Sequence, residues 1–162
     1  MPINRAVVNA SPLICLFKSG LADLLPALFT EVIVPEEVWH EILANGKRDF
    51  AAQGLPSTDW LKRVGGIDIA PQVASWDLGR GESAVISLAL RNPEYRAIID
   101  DREARRCALS LHCLYTGTVG VLVLAKRRKL IHSIRESLEK LMAAGLWLSS
   151  DFRDQVCRKF GE

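Results

Sequence analysis

Short apolar runs that end in polar residues alternate along this chain with stretches whose apolar positions recur at helical spacing. Ala6-Val7-Val8 reads as a buried strand delivering Asn9 at its carboxyl end, with Ser11-Pro12 opening a helix over about Pro12–Lys18 that Gly20 stops. LADLLPALF begins a second helical pattern, interrupted by Pro26. Glu31–Val34 is β-rich and ends at Pro35, and PEEVWHEILAN forms the clearest helix, stopped by Asn45-Gly46.

Between Lys47 and Gly81 the pattern is irregular: Phe50-Ala51-Ala52 suggests a short helix, and the alternation over Trp60–Ile69 suggests a strand. Gly79-Arg80-Gly81 then turns into the helix ESAVISLALR, with Glu82 at its start, and Asn92-Pro93 ends it. AIIDD is a strand carrying Asp100 and Asp101 at its end. Helical stretches at Arg102–Leu111, Val119–Arg128, Ile134–Ala144 and Ser150–Phe160 follow, with a short strand at Cys113–Tyr115. Strands alternating with helices predict an α/β protein with a mostly parallel sheet of four or five strands, helices covering both faces.

Composition narrows the function only a little. The 162 residues, 49% of them hydrophobic, suit one domain over 1–162, and 21 basic against 19 acidic residues leave a net charge of +2. Any attraction for nucleic acid must therefore be local. Cys15, Cys107, Cys113 and Cys157 form no CxxC pair, which argues against a zinc or redox motif and for reduced thiols in a cytoplasmic protein. The longest apolar segment, Val119–Ala125, is far shorter than the roughly 20 residues of a membrane span. His40, His112 and His132 are isolated, so a histidine-based nucleophilic mechanism has little support.

The chemistry sits in the carboxylates. In open α/β sheets ligands bind beyond the carboxyl ends of the strands, and neighbouring parallel strands would bring Asn9, Asp100 and Asp101 to one cleft. Oxygen ligands of this kind suit Mg²⁺ or Mn²⁺. Glu37 and Glu41 share one side of a helix and matter if its edge borders those strand ends. Glu82 has a structural role open to it through the helix dipole, although the flanking Gly79 and Gly81 leave room for a close approach. Arg102, Arg105 and the cluster from Lys126 and Arg127 to Lys129 are candidates for phosphate contacts.

The segments VVNASPLI, VIVPEEVWHEI, LGRGESAVISLAL, AIIDDREARR and TGTVGVLVLAKRRKLI, in that order, closely resemble the PIN-like domains of the DUF3368 group, from about Val7 to the C-terminus. The resemblance implies a three-layer α/β/α fold and a Mg²⁺- or Mn²⁺-dependent ribonuclease, in many cases the toxin of a toxin-antitoxin pair, and the expected substrate is single-stranded RNA. It implies metal ligands at Asn9, Glu41, Glu82 and Asp100 or Asp101, with Ser11, Thr116 and Thr118 in support. Such domains usually carry aspartate where this chain has Asn9; an amide oxygen still coordinates but brings no charge. The alternative is a non-catalytic module that binds RNA or protein through a weakened metal site. A cognate antitoxin and a homodimer are the implied protein partners, the latter through Leu146-Trp147-Leu148 and Phe152, which could equally complete the core.

Overall fold

The computed structural model describes residues 5–44 and 54–162. Five strands, β1 (Arg5–Val8), β2 (Glu31–Pro35), β3 (Leu61–Val64), β4 (Tyr95–Ile98) and β5 (Tyr115–Thr116), form one sheet in the order β3-β2-β1-β4-β5. Every pairing is parallel. The central strands are fully buried at Ala6, Val7, Val8, Ala97 and Ile98, as expected of a parallel sheet covered on both faces.

The helices are α1 (Ala10–Ser19), α2 (Leu24–Leu28), α3 (Glu36–Ala44), α4 (Pro71–Ala74), α5 (Arg80–Arg91), α6 (Arg102–Ser110), α7 (Thr118–Arg127), α8 (Ile134–Ala143) and α9 (Ser150–Arg158). Helix α5 lies against β1, β2 and β4 with α4 and α6 beside it, and α1, α2, α7 and α8 pack together on the opposite side. The result is the expected three-layer α/β/α arrangement. Helix α5 is apolar because it is sunk between sheet and neighbours: Ala84, Val85, Ile86, Leu88 and Ala89 are all buried. The four cysteines are free and buried, and no helix among the described residues is long and apolar enough to cross a membrane.

Local departures from the sequence reading have identifiable causes. Asn9, not Ser11, stands at the N-cap of α1, which places Ser11 and Pro12 inside the first turn. Pro26 is tolerated in α2 because it falls in the first turn of a five-residue helix, where its missing N–H has no partner to lose. Of Trp60–Ile69 only Leu61–Val64 pairs, against Val32–Pro35, before Gly65-Gly66 ends the strand. The fifth strand is shifted to Tyr115–Thr116, because Cys113 N still bonds Ala108 O to close α6 and His112 turns the chain at φ +58°. Helix α5 begins at Arg80, so Arg80 and Gly81 are helical and not a loose turn. The Asn45-Gly46 stop and the short helix read at Phe50-Ala51-Ala52 lie outside the described residues.

Candidate active site at the carboxyl edge of the sheet

The register of the two central strands brings the first two oxygen-bearing residues together. Val8 pairs with Ile98, and Asn9 N donates to Ile98 O at 3.0 Å, so Asn9 and Asp100 leave adjacent strands at the same edge. Asparagine is among the best N-cap residues, and a capping side chain is worth about 1 kcal/mol. Yet Asn9 makes no capping hydrogen bond. Its Nδ2 donates instead to Glu82 Oε1 at 3.2 Å, across the sheet on the first turn of α5. Its Oδ1 is buried without a hydrogen-bond partner, an arrangement that is expensive unless something else occupies the acceptor.

Glycine makes room for this contact. A methyl group on Gly81 would lie 2.9 Å from Glu41 Oε2, 3.1 Å from Asn9 Oδ1 and 3.3 Å from Val38 Cγ2. Glu41, Asn9 and Glu82 are therefore gathered around the bare backbone of one helical residue. At Gly79 a methyl group would meet Glu82 Oε2 at 2.5 Å, so the close approach foreseen at the two glycines is made by the protein's own carboxylates. Burial, and then the charge of Glu82, raise the Glu41 carboxyl above its ordinary pKa. Among the described residues no cation forms an ion pair with Glu41, Glu82 or Asp100. Glu37 adds another buried, unpartnered oxygen, Oε2, to the same depression; the sequence had marked it only as the helical neighbour of Glu41.

Asp100 is held from the other side. Thr118 N donates to its Oδ1 at 2.8 Å and Thr118 Oγ1 donates to its Oδ2, and a methyl group on Gly117 would come within 2.8 Å of Oδ1. The N-terminus of α7 thus points at this carboxylate, with dipole and donors both favouring the anion. Thr116 lies over Gly120 and, with Asp100, lines the depression beside β5. Asp100 also helps raise the Cys15 thiol on α1 to about 11, burial being the larger cause. Cys15, Ser11 and Glu41 border one further depression, so the cleft runs from Glu82 past Glu41 and α1 to Asp100.

Two groups of expected site residues are placed elsewhere. Asp101 is the N-cap of α6, its Oδ2 accepting from Ala104 N at 2.9 Å, and it borders none of these depressions. One oxygen of this carboxylate is thus committed to a helix cap. Lys126 and Arg127 stand at the C-terminal end of α7, about 12 Å of helix from Thr118. Lys126 there pairs with Glu162 at 3.2 Å and donates to His132 O. That basic cluster stabilises a helix end and does not border the cleft, whereas Arg102 and Arg105 remain exposed beside Asp100 on α6.

A family model described as DUF3368, PIN domain, matches residues 5–162. The chain belongs to this family of PIN domains. No curated protein matches it. A PIN domain places the chain in a nuclease-like superfamily whose members generally use divalent metals. Among the described residues no three His, Cys, Asp or Glu side chains are close enough to form a metal-binding group by themselves. The donors nevertheless suit a hard cation in kind: an unpartnered buried amide oxygen, Asn9 Oδ1, lies beside carboxylates that no cation balances among the described residues.

Proposed function

We propose that this PIN domain hydrolyses phosphodiester bonds in RNA with the help of Mg²⁺ or Mn²⁺. The observation that carries the reading is the unpartnered, buried Asn9 Oδ1 packed with Glu41 against Gly81 while Asn9 Nδ2 holds Glu82. Asn9, Glu41, Glu82 and Asp100 are the residues that would hold the cation. Bound there, a divalent ion supplies an activated water at neutral pH and neutralises charge developing on the phosphate.

The protein's own residues have separable tasks. Glu41, whose carboxylate lies with Asn9 Oδ1 over Gly81, would help orient the attacking water, whose proton passes to solvent. The water oxygen bonds to phosphorus, the ester P–O bond breaks, and the departing sugar oxygen takes up a proton. Thr118 fixes the orientation of Asp100 through its two hydrogen bonds. Arg102 and Arg105 contact phosphates and set the position of the strand without reading its sequence.

The test is cleavage of an end-labelled single-stranded RNA with and without Mn²⁺. Activity should require the metal and disappear in Asp100→Asn; undiminished cleavage in EDTA overturns the reading. A second reading, an RNA- or protein-binding module without catalysis, is favoured by the uncharged Asn9 and by the hydrogen bonds already made to both Asp100 oxygens. It predicts no thermal stabilisation by Mn²⁺. An ion at 100 times its Kd would instead add about 2.7 kcal/mol.

A further inference from the structure

The loop joining α8 to α9 alternates in burial: Leu146 and Leu148 are tucked against the core, while Trp147 between them is 83% exposed. One exposed ring is ordinary, but two lining the same groove form the kind of apolar patch that marks an interaction site. Ser149 caps α9 by accepting from Phe152 N at 3.2 Å and so fixes Phe152, itself 42% exposed, one turn beyond. Trp147 and Phe152 line a groove of about 420 Å³ that also holds Tyr115, Arg105 and Lys159 and has Asp100 on its border. The Arg105 guanidinium lies 5.6 Å from the centre of the Tyr115 ring. Among the described residues neither Arg105 nor Lys159 has an acidic partner.

We propose that this groove is a stacking track for the unpaired bases of the RNA strand, with Trp147 as its principal platform and Arg105 and Lys159 contacting the phosphates on the way to Asp100. The proposal rests on the nuclease reading above and deepens it. Aromatic faces interleaved with free cations are what a single strand needs: every base offers a face to stack on, and the backbone carries a charge at every step. A duplex, whose bases are already stacked on one another, gains nothing from Trp147. A second copy of this chain would have to bring its own carboxylates to Arg105 and Lys159, whereas a nucleic-acid strand carries an anion at every phosphate. The charge complementarity therefore favours the nucleic acid.

The experiment uses the full chain and an unstructured oligonucleotide, with the same sequence as a duplex for comparison. Binding is followed in EDTA by fluorescence anisotropy, and cleavage kinetics are followed in Mn²⁺. Trp147→Ala should weaken single-strand binding about ten-fold or more, leave duplex binding unchanged, and raise KM while kcat is retained; Trp147→Phe should restore most of the loss. Arg105→Ala should lower the slope of log affinity against log salt by about one. Unchanged single-strand affinity in Trp147→Ala, with Mn²⁺-dependent cleavage intact, overturns the stacking track and leaves the nuclease reading standing. No RNA binding and no cleavage by the native chain overturns both. A shift from oligomer to monomer in Trp147→Ala, with RNA affinity unchanged, assigns the rings to a second copy and overturns the proposal.

Discussion

Gly81→Ala tests whether the oxygen cluster is a packed device or an accident of surface side chains. Its new methyl would sit 2.9 Å from Glu41 Oε2 and 3.1 Å from Asn9 Oδ1, both too close to keep. Glu41 is exposed along its stem although its carboxyl end is partly desolvated over Gly81, so it can swing outward into water, but Asn9 is 2% exposed and is tied to the sheet through its backbone. Overpacking of this kind costs about 1 kcal/mol when one neighbour yields. Replacing a helical glycine by alanine returns about the same amount through backbone entropy. Stability should therefore change little, with Tm moving by no more than about 3 °C. Glu41 must nevertheless shift by about half an ångström and Asn9 by a few tenths, and since about 1 Å at a reacting centre lowers the rate about 100-fold, the rate should fall about ten-fold. Thermal melts paired with Mn²⁺ titration calorimetry and RNA cleavage would read both effects. A variant with native metal affinity and native rate would refute the argument that these three side chains act together. A loss of more than about 10 °C in Tm would refute the claim that Glu41 can move aside.

Three further outcomes follow from neighbouring contacts. Asn9→Asp replaces the hydrogen bond to Glu82 by two like charges, which should lower stability by about 1 to 2 kcal/mol without metal; Mn²⁺ should reverse the loss and raise activity above that of the native chain, as melts with and without the ion would show. Because burial, and after it the charge of Glu82, raises the Glu41 carboxyl, Glu82→Gln should lower the Glu41 titration while leaving it above the ordinary glutamate range in a carboxyl-detected NMR titration, and an unmoved titration would separate the two residues. Glu162 accepts from Ser133 Oγ and from Ile134 N and Arg135 N at the start of α8 and pairs with Lys126, which lowers its carboxyl to about 2. Its stabilisation is present above the unfolded carboxylate range and is lost as pH falls toward about 2. Glu162→Gln should accordingly cost about 1 kcal/mol at pH 7, after allowance for solvent screening, and nothing once the native carboxylate is protonated.

Much of the edge was legible before any coordinates, because its residues follow strands whose apolar runs are unmistakable. Asn9 and Asp100 were located by that rule alone, and Glu82 by the glycines around it. The same rule did not separate Asp101 from Asp100, since a carboxylate one residue further on is equally well placed to cap the next helix, and only the Ala104 N–H reveals that it does so. Lys126 shows a related ambiguity: a basic run at a helix C-terminus looks alike whether it meets phosphate or Glu162, and here Lys126 meets Glu162. Leu146-Trp147-Leu148 left core and surface equally open, and the loop divides them, two inward and one outward.

What the amino-acid order determined by itself was local: which segments pair as strands, which coil as helices, and which polar residues stand at their ends. Those properties depend on hydrogen bonds and side-chain periodicity within a few residues. The tertiary structure decided which ends meet. Strand order β3-β2-β1-β4-β5 sets Asn9 beside Asp100, and the passage of α5 across β2, β1 and β4 slides Gly81 beneath Asn9 and Glu41. These juxtapositions join residues remote in sequence through the burial of the sheet between its helices, a long-range packing choice that no local pattern encodes.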